Sequence, residues 1–190
     1  MAGTWQRLGS ASGGSSSMSV TITAKKNIRV IFQQTTNVQC KIQFNDDTGS
    51  NYALRRSEDG ASDGTEISQT YMRNWNSGSA TQRMTIMNIT NVSNKEKLCI
   101  VETVEGTSGA GNAPNRMESV GKWANTSAQI TKVTFTALSG TIDSNATLTV
   151  LGASSDVVSD TTPNATIFEE TDTGEHYIWN ATSDSWTEIT

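Results

Sequence analysis

Residues on which many enzyme and metal sites depend are scarce in this sequence of 190 residues. It has two cysteines, one histidine and two prolines. A structural zinc site typically takes four cysteine or histidine ligands, so the sequence has too few of them. Cys40 alternates in phase with Ile42 and Phe44. We therefore expect Cys40 and Cys99 to be buried free thiols rather than a disulfide.

Charge and long apolar runs are also scarce. Charged residues make up 17% of the chain and the formal net charge is −5, which disfavours a nucleic-acid coat protein, because such a protein needs a basic face. No apolar run approaches the roughly 20 residues of a membrane-spanning helix. The residues after Met1 do not form the apolar core of a signal peptide. We expect a protein that is made in a cytoplasm, with neither nucleic acid nor a membrane as its partner.

Convincing helical periodicity is missing, and short alternating segments take its place. Turn-forming Gly, Asn, Asp and Ser residues separate these segments, which indicates an all-β fold, an antiparallel β-sandwich that is jelly-roll-like. Residues 66–78 are ambiguous between a helical turn and an irregular strand and loop, and we favour the latter. Strands are predicted at residues 18–23, 28–33, 38–44, 51–56, 82–89, 98–104, 116–123, 129–138 and 145–151.

Composition divides the chain into four parts. Residues 1–17 predict an N-terminal anchor, with Trp5 and Leu8, followed by a flexible linker, because residues 10–17 are only Ser, Ala and Gly. Residues 18–153 form the predicted sandwich, and residues 154–164 a second linker.

Residues 165–190 predict a small C-terminal three-stranded meander. Such a meander is hardly stable alone, so its aromatic residues need a second surface. That surface is either the main sandwich or an adjacent copy of the chain, and we favour the adjacent copy. The aromatic residues concerned are Phe168, Tyr177, Trp179 and Trp186.

A polar corner follows the strand that ends at Phe44. Residues 44–52 read Phe-Asn-Asp-Asp-Thr-Gly-Ser-Asn-Tyr, and Arg56-Ser57-Glu58-Asp59-Gly60 comes soon after. This pattern resembles a corner found in structural proteins of tailed bacterial and archaeal viruses. Further matching segments are Trp5–Gly9, Lys25–Val30, Gly121–Trp123, Ile130–Val133 and Thr149–Gly152.

The resemblance covers about residues 4–153 and implies a virion surface or appendage protein built on an antiparallel β-sandwich. The C-terminal segment is similar to a short module that recurs at the ends of phage and archaeal-virus proteins, with Ala165 in place of the usual Gly. Neither resemblance says which part of the particle the protein belongs to.

Two Asp-Thr-Gly triplets, at Asp47 and Asp172, invite comparison with aspartic proteases, which need two carboxyl groups sharing a proton. Both follow polar turn residues rather than a buried apolar strand, so turn formation is the favoured interpretation. The only histidine is His176. A Ser-His-Asp triad would have to include it, and a surface or cross-strand position suits it better.

The corner also holds candidate ligand residues. Its amides and carboxylates could bind Ca²⁺ or a sugar, or could cap the turn themselves, although their spacing is not that of an EF-hand. Exposed aromatic residues could add a stacking surface for a sugar. The residues predicted for ligand or glycan contact are Asn45, Asp46, Asp47, Asn51, Tyr52 and Trp75.

We expect a non-enzymatic virion protein, either a capsid decoration or a component of a fibre or tail appendage, that needs no cofactor or metal. Its partners would be copies of itself, with a trimer plausible, and other virion proteins. Predicted assembly contacts are Trp5, Leu8, Phe168, Tyr177, Trp179 and Trp186. Two alternatives stay open: a carbohydrate-binding module for attachment to a host surface glycan, and a cellular surface or adhesion domain.

Overall fold

A computed structural model describes residues 5–75, 82–153, 167–169, 175–180 and 185–189. Every regular element in these ranges is a β-strand, which confirms the prediction of an all-β fold. The chain divides into two compact units, Thr4–Ser154 and a second that joins Ser155–Thr190 with Met1–Gly3. No helix long and apolar enough to cross a membrane occurs in the described ranges.

Short antiparallel strands make up the first unit. In chain order they are β1 (Gln6–Ser12), β2 (Ser17–Thr21), β3 (Asn27–Gln34), β4 (Cys40–Phe44), β5 (Tyr52–Glu58), β6 (Gly64–Gln69), β7 (Met72–Arg73), β8 (Gln82–Thr90), β9 (Lys97–Gly106), β10 (Asn115–Trp123), β11 (Lys132–Ala137) and β12 (Thr147–Ala153). The ambiguous stretch after residue 66 therefore contains strand and loop, as favoured from the sequence.

These strands form two sheets of unequal width. The larger sheet has eight strands in the order β1-β12-β3-β8-β9-β10-β5-β6, and the smaller has four in the order β2-β11-β4-β7. The two sheets share one hydrophobic core, in which the rings of Phe32 and Phe135 lie 4.6 Å apart. Phe32 belongs to the larger sheet and Phe135 to the smaller one, so the arrangement is a β-sandwich.

Strand alternation explains the core. Along β3 the buried residues are Ile28, Val30 and Phe32, and the residues between them are less buried. A strand with one buried face repeats every two residues. Cys40 and Cys99 belong to this core as free thiols, as predicted, and burial raises the pKa of each to about 12.

The interior becomes polar at one end of β8 and β9. The guanidinium of Arg83 pairs with the carboxylate of Glu105 at 2.6 Å, and both side chains are buried. Arg83 also donates to the carbonyl of Val38 at 3.0 Å and lies 5.4 Å from the centre of the Trp75 ring. Trp75 and Val38 therefore help to position the Arg83 guanidinium against Glu105. This matters because a broken buried ion pair leaves an uncompensated charge inside the protein.

The structure differs from the predicted linker at residues 10–17. Residues 10–12 lie within β1, which pairs with β12, and Ser17 begins β2. Between them the N–H of Gly13 donates to the carbonyl of Ala146 at 2.9 Å. A Cβ at Gly13 would lie 1.8 Å from the carbonyl oxygen of Asp143. The glycine is therefore needed for close packing here, and not for flexibility.

The second unit contains a three-stranded antiparallel meander, as predicted. Its strands are β13 (Ile167–Glu169), β14 (His176–Asn180) and β15 (Ser185–Ile189). The register places Phe168 opposite Tyr177 and Trp179 opposite Trp186. The predicted linker of residues 154–164 lies outside the described residues.

Candidate functional site

The corner of residues 45–51 carries the chain from the smaller sheet to the larger one. Phe44 ends β4 and Tyr52 begins β5. The N–H of Asp47 donates to the carbonyl of Phe44 at 2.9 Å, and Asn45 and Asp46 have φ angles of 51° and 57°. Two successive positive φ angles characterise a type I′ turn, and after glycine Asn and Asp tolerate them best. The Asn-Asp dipeptide thus sets the direction of the crossing.

Asn45 fastens this corner to the segment before β11. Its Oδ1 accepts hydrogen bonds from the N–H groups of Thr131 and Lys132 at 2.9 and 3.0 Å. Its Nδ2 donates to the carbonyl of Gln129 at 2.8 Å. The side-chain amide is therefore used on both sides within the protein, and the neighbouring Asp46 forms an ion pair with Lys132 at 2.9 Å.

Asp47 accepts three further N–H groups at the centre of the corner. Its Oδ1 accepts from the backbone of Gly49 at 2.8 Å, and its Oδ2 accepts from Asn51 Nδ2 at 2.9 Å and Trp123 Nε1 at 2.6 Å. Desolvation acts to raise the pKa of Asp47, but these hydrogen bonds outweigh it and hold the pKa below its ordinary value of 3.8. Such a carboxylate caps a turn. Asp172, in the second triplet, lies outside the described residues.

Tyr52 closes the corner from the core side. Its hydroxyl accepts the N–H of Phe44 at 2.9 Å and donates to the carbonyl of Asp47 at 3.2 Å. The ring of Phe44 lies 6.2 Å from that of Tyr52 and 5.9 Å from that of Trp123. Hydrogen bonds and ring contacts therefore fix the corner at the point where the chain crosses between the two sheets.

This geometry argues against the ligand role predicted for the corner and Trp75. Tyr52 is 1% exposed and Trp75 is 2% exposed, so neither offers a ring face on which a sugar could stack. The side chains of Asn45, Asp47 and Asn51 already have hydrogen-bond partners inside the protein. The physical reason is that crossing between two packed sheets leaves many backbone groups to satisfy, and these side chains satisfy them.

The described residues offer neither a metal-binding cluster nor, at Asn91, an accessible glycan acceptor. No group of three or more His, Cys, Asp or Glu side chains suited to a metal occurs where the structure describes the chain. His176 is exposed and lies opposite Ile189 in the meander. Asn91 begins an Asn-Val-Ser segment of the type that accepts N-linked glycans. It is fully buried, and its Oδ1 accepts from the N–H of Ile130 at 2.7 Å. It cannot receive a glycan in the folded protein.

The outer face of the larger sheet carries a surface of a different kind. An apolar groove of about 700 Å³ lies across β8, β9, β10 and β5, on the side away from the smaller sheet. Its floor includes Leu98, Ile100 and Val120, each more than half exposed. Ile100 lies directly opposite Val120 in the register, and Leu98 lies opposite Lys122. These apolar residues are on central strands, where an exposed face is usually polar.

Two apolar side chains form the walls of the groove. Ile67, on the edge strand β6, is 69% exposed. On the other side stands Trp5, whose ring lies 5.1 Å from the guanidinium carbon of Arg29. Arg29 in turn donates from Nε to Asn88 Oδ1 at 2.8 Å. Trp5, predicted as an assembly contact, thus belongs to this groove, whereas Leu8 packs against the core of its own sandwich.

Charged residues border the groove along the strands. On one side Glu102 and Glu118 lie directly opposite each other in the register, and both are exposed. On the other side Lys122 forms an ion pair with Glu96 at 2.8 Å. An apolar centre with a charged border is the usual anatomy of a protein interface.

One feature of the sequence could have indicated this groove, although a search for alternating strands does not detect it. Residues 98–101 read Leu-Cys-Ile-Val, so both phases of β9 are apolar. A strand with both faces apolar is typical of a sheet covered on both sides. The smaller sheet covers the phase of Cys99 and Val101, and the phase of Leu98 and Ile100 forms the groove.

Comparison of the chain with models of known protein families, with curated proteins and with solved structures found no match.

Proposed function

We propose that this chain is a non-enzymatic structural protein of a virus particle, serving as a capsid decoration or as part of a fibre or tail appendage. It acts by packing against copies of itself and against other virion proteins. The virion assignment is supported by the sequence resemblance of the corner at residues 44–52. Particle symmetry would repeat the same contacts, and a trimer is one arrangement that fits.

The apolar groove is the observation that carries the assembly role. Monomeric proteins rarely expose contiguous apolar surface in the middle of a sheet, and a larger patch with a polar border marks an interaction site. Leu98, Ile100 and Val120 supply such a patch on the groove floor. The hydrogen bonds of the corner at residues 45–51 hold the two sheets in a fixed relative position. A rigid surface loses less conformational entropy on binding, which suits a subunit of an assembly.

The terminal meander gives a second contact surface under this proposal. Ile167 and Ile189 are both substantially exposed. Three short strands are at the lower limit for a stable sheet and depend on a well-packed hydrophobic face. We expect the meander to obtain that packing from a neighbouring copy.

Light scattering coupled to size exclusion tests the assembly role on the full chain. A structural protein of this kind should elute as a multiple of its 20.4 kDa mass, with the copy number constant over a wide concentration range. A monodisperse monomer at every concentration would contradict the proposal. The virion assignment is tested separately by mass spectrometry of purified particles, in which peptides of this chain should occur in a fixed ratio to the main capsid protein.

A further inference from the structure

We propose that the groove on the outer face of the larger sheet is the contact between two copies of this chain, related by a two-fold axis. The axis lies in the interface, crosses the strands, and passes over Ile100 and Val120. This inference rests on the proposed function and adds to it the surface, the partner and the symmetry of one contact.

The charge pattern along β10 favours one direction of the axis. Glu118 lies two residues before Val120 and Lys122 two residues after it, and all three are on the outward phase of the strand. A two-fold axis across the strand at Val120 reverses the strand in the second copy. Glu118 of each copy then faces Lys122 of the other. An axis parallel to the strands would place glutamate on glutamate, which costs free energy.

The glutamate pair gives an independent reason to expect a cation from outside. Glu102 and Glu118 are direct cross-strand neighbours, and like charges in that position destabilise a sheet. Among the described residues, Glu118 forms one ion pair, with Arg116 at 3.6 Å, and Glu102 forms none. Lys122 of a second copy would lie over this pair. The same axis passes over Arg55, which lies opposite Val120 in the register, so the Arg55 side chains of the two copies face each other. The exposed ion pair of Arg55 with Asp63 at 3.8 Å offsets only part of that repulsion.

The face is large enough for a stable pair. The six neighbouring strands that line the groove, spaced about 4.8 Å apart with lengths of about 25 Å, present about 700 Å². A standard interface buries about 800 Å² on each partner. Trp5 and Ile67, which stand at the two sides of the groove, add the large apolar side chains that dominate interface free energies.

Charge reversal tests this arrangement because each pair occurs twice across a two-fold axis. Glu118→Lys alone and Lys122→Glu alone should each weaken association of the full chain by about a hundredfold, since two like-charge contacts of about tenfold each are created. The double variant Glu118→Lys/Lys122→Glu should restore association to near the wild-type value. Sedimentation velocity over a concentration series measures all three, with circular dichroism to verify folding.

Val120→Glu, at the centre of the contact, should halve the copy number, turning a dimer into monomers or a hexamer into trimers. Ser19→Glu is the matched control, because Ser19 is exposed on β2 of the smaller sheet, and it should leave the mass unchanged. Two results would overturn this contact while leaving the assembly role intact. One is a multimer whose mass is unchanged by Val120→Glu, and the other is a double variant that associates no more strongly than the single variants. A wild-type monomer would overturn both.

The occupant itself is checked by carbodiimide cross-linking of mixed ¹⁴N and ¹⁵N chains. A mixed-isotope link between Lys122 and Glu118 or Glu102 is expected. Mixed links from Lys122 solely to other carboxylates would show that a different surface fills the groove, and the two-fold contact would be wrong.

Discussion

Tyr52 shows how one hydroxyl can hold two sheets together. It accepts the N–H of Phe44 and donates to the carbonyl of Asp47, and it is almost fully buried. Tyr52→Phe removes the acceptor and leaves a buried N–H without a partner, so the free energy of unfolding should fall by about 1–3 kcal/mol. Urea denaturation measures the change. Tyr71→Phe is the control, because Tyr71 is only partly buried. Loss of its hydroxyl should change the free energy of unfolding by less than about 0.5 kcal/mol.

Asp47 makes a prediction about acid stability. Its pKa in the folded protein is lowered, so the charged form stabilises the fold at neutral pH. That contribution is lost as the pH falls through the lowered pKa. Asp47→Asn should therefore be less stable than wild type by about 1–2 kcal/mol at neutral pH, and the difference should shrink at an acidic pH below the ordinary carboxyl value of 3.8.

Urea unfolding at both pH values measures this difference for Asp47. Asp63→Asn serves as the comparison, because Asp63 is exposed and only loosely paired with Arg55 at 3.8 Å. Its effect should be small at both pH values. A gap between wild type and Asp47→Asn that stays constant with pH would contradict the charged-acceptor role.

At the level of single elements, strand phase could be predicted from the sequence but pairing could not. The alternation of Ile28, Val30 and Phe32 fixes the buried face of β3, because side chains repeat every two residues. The residues of β1 themselves do not indicate that this strand pairs with β12, which lies at the opposite end of the unit in sequence. The same limit hid the groove, whose walls at Trp5 and Ile67 come from segments far from its floor in sequence.

Glycine composition was equally ambiguous between a linker and close packing, and Gly13 separates the two. Gly13→Ala places a methyl group against the carbonyl oxygen of Asp143, and overpacking of this kind costs about 1–3 kcal/mol. Gly111→Ala, in the loop before β10, meets no atom within 4 Å and should change stability by less than about 0.5 kcal/mol. Urea midpoints compare the two variants. Equal midpoints would contradict the close packing inferred at Gly13.

At the scale of the whole molecule, the two units contribute different contacts to the proposed assembly. The sandwich presents its outer sheet face, and the meander presents exposed Ile167 and Ile189. Of the candidate ligand residues predicted from the sequence, Tyr52 and Trp75 are buried and offer no stacking face. The sequence could not show more about this corner, because polar residues at a turn have the same composition whether they bind a ligand or the backbone. The assembly role of Trp5 stays a prediction, and its basis is that an exposed aromatic residue outside the strand pattern needs cover.

Removing residues 165–190 separates these two contributions. Because the sandwich is a compact unit with its own core, its urea midpoint should stay unchanged. The copy number should fall to two, since the contact through Ile100 and Val120 remains. Adding Val120→Glu to the shortened chain should then give monomers by light scattering. A shortened chain with the full copy number would show that the meander takes no part in assembly, and a shortened chain that unfolds would show that the sandwich depends on it.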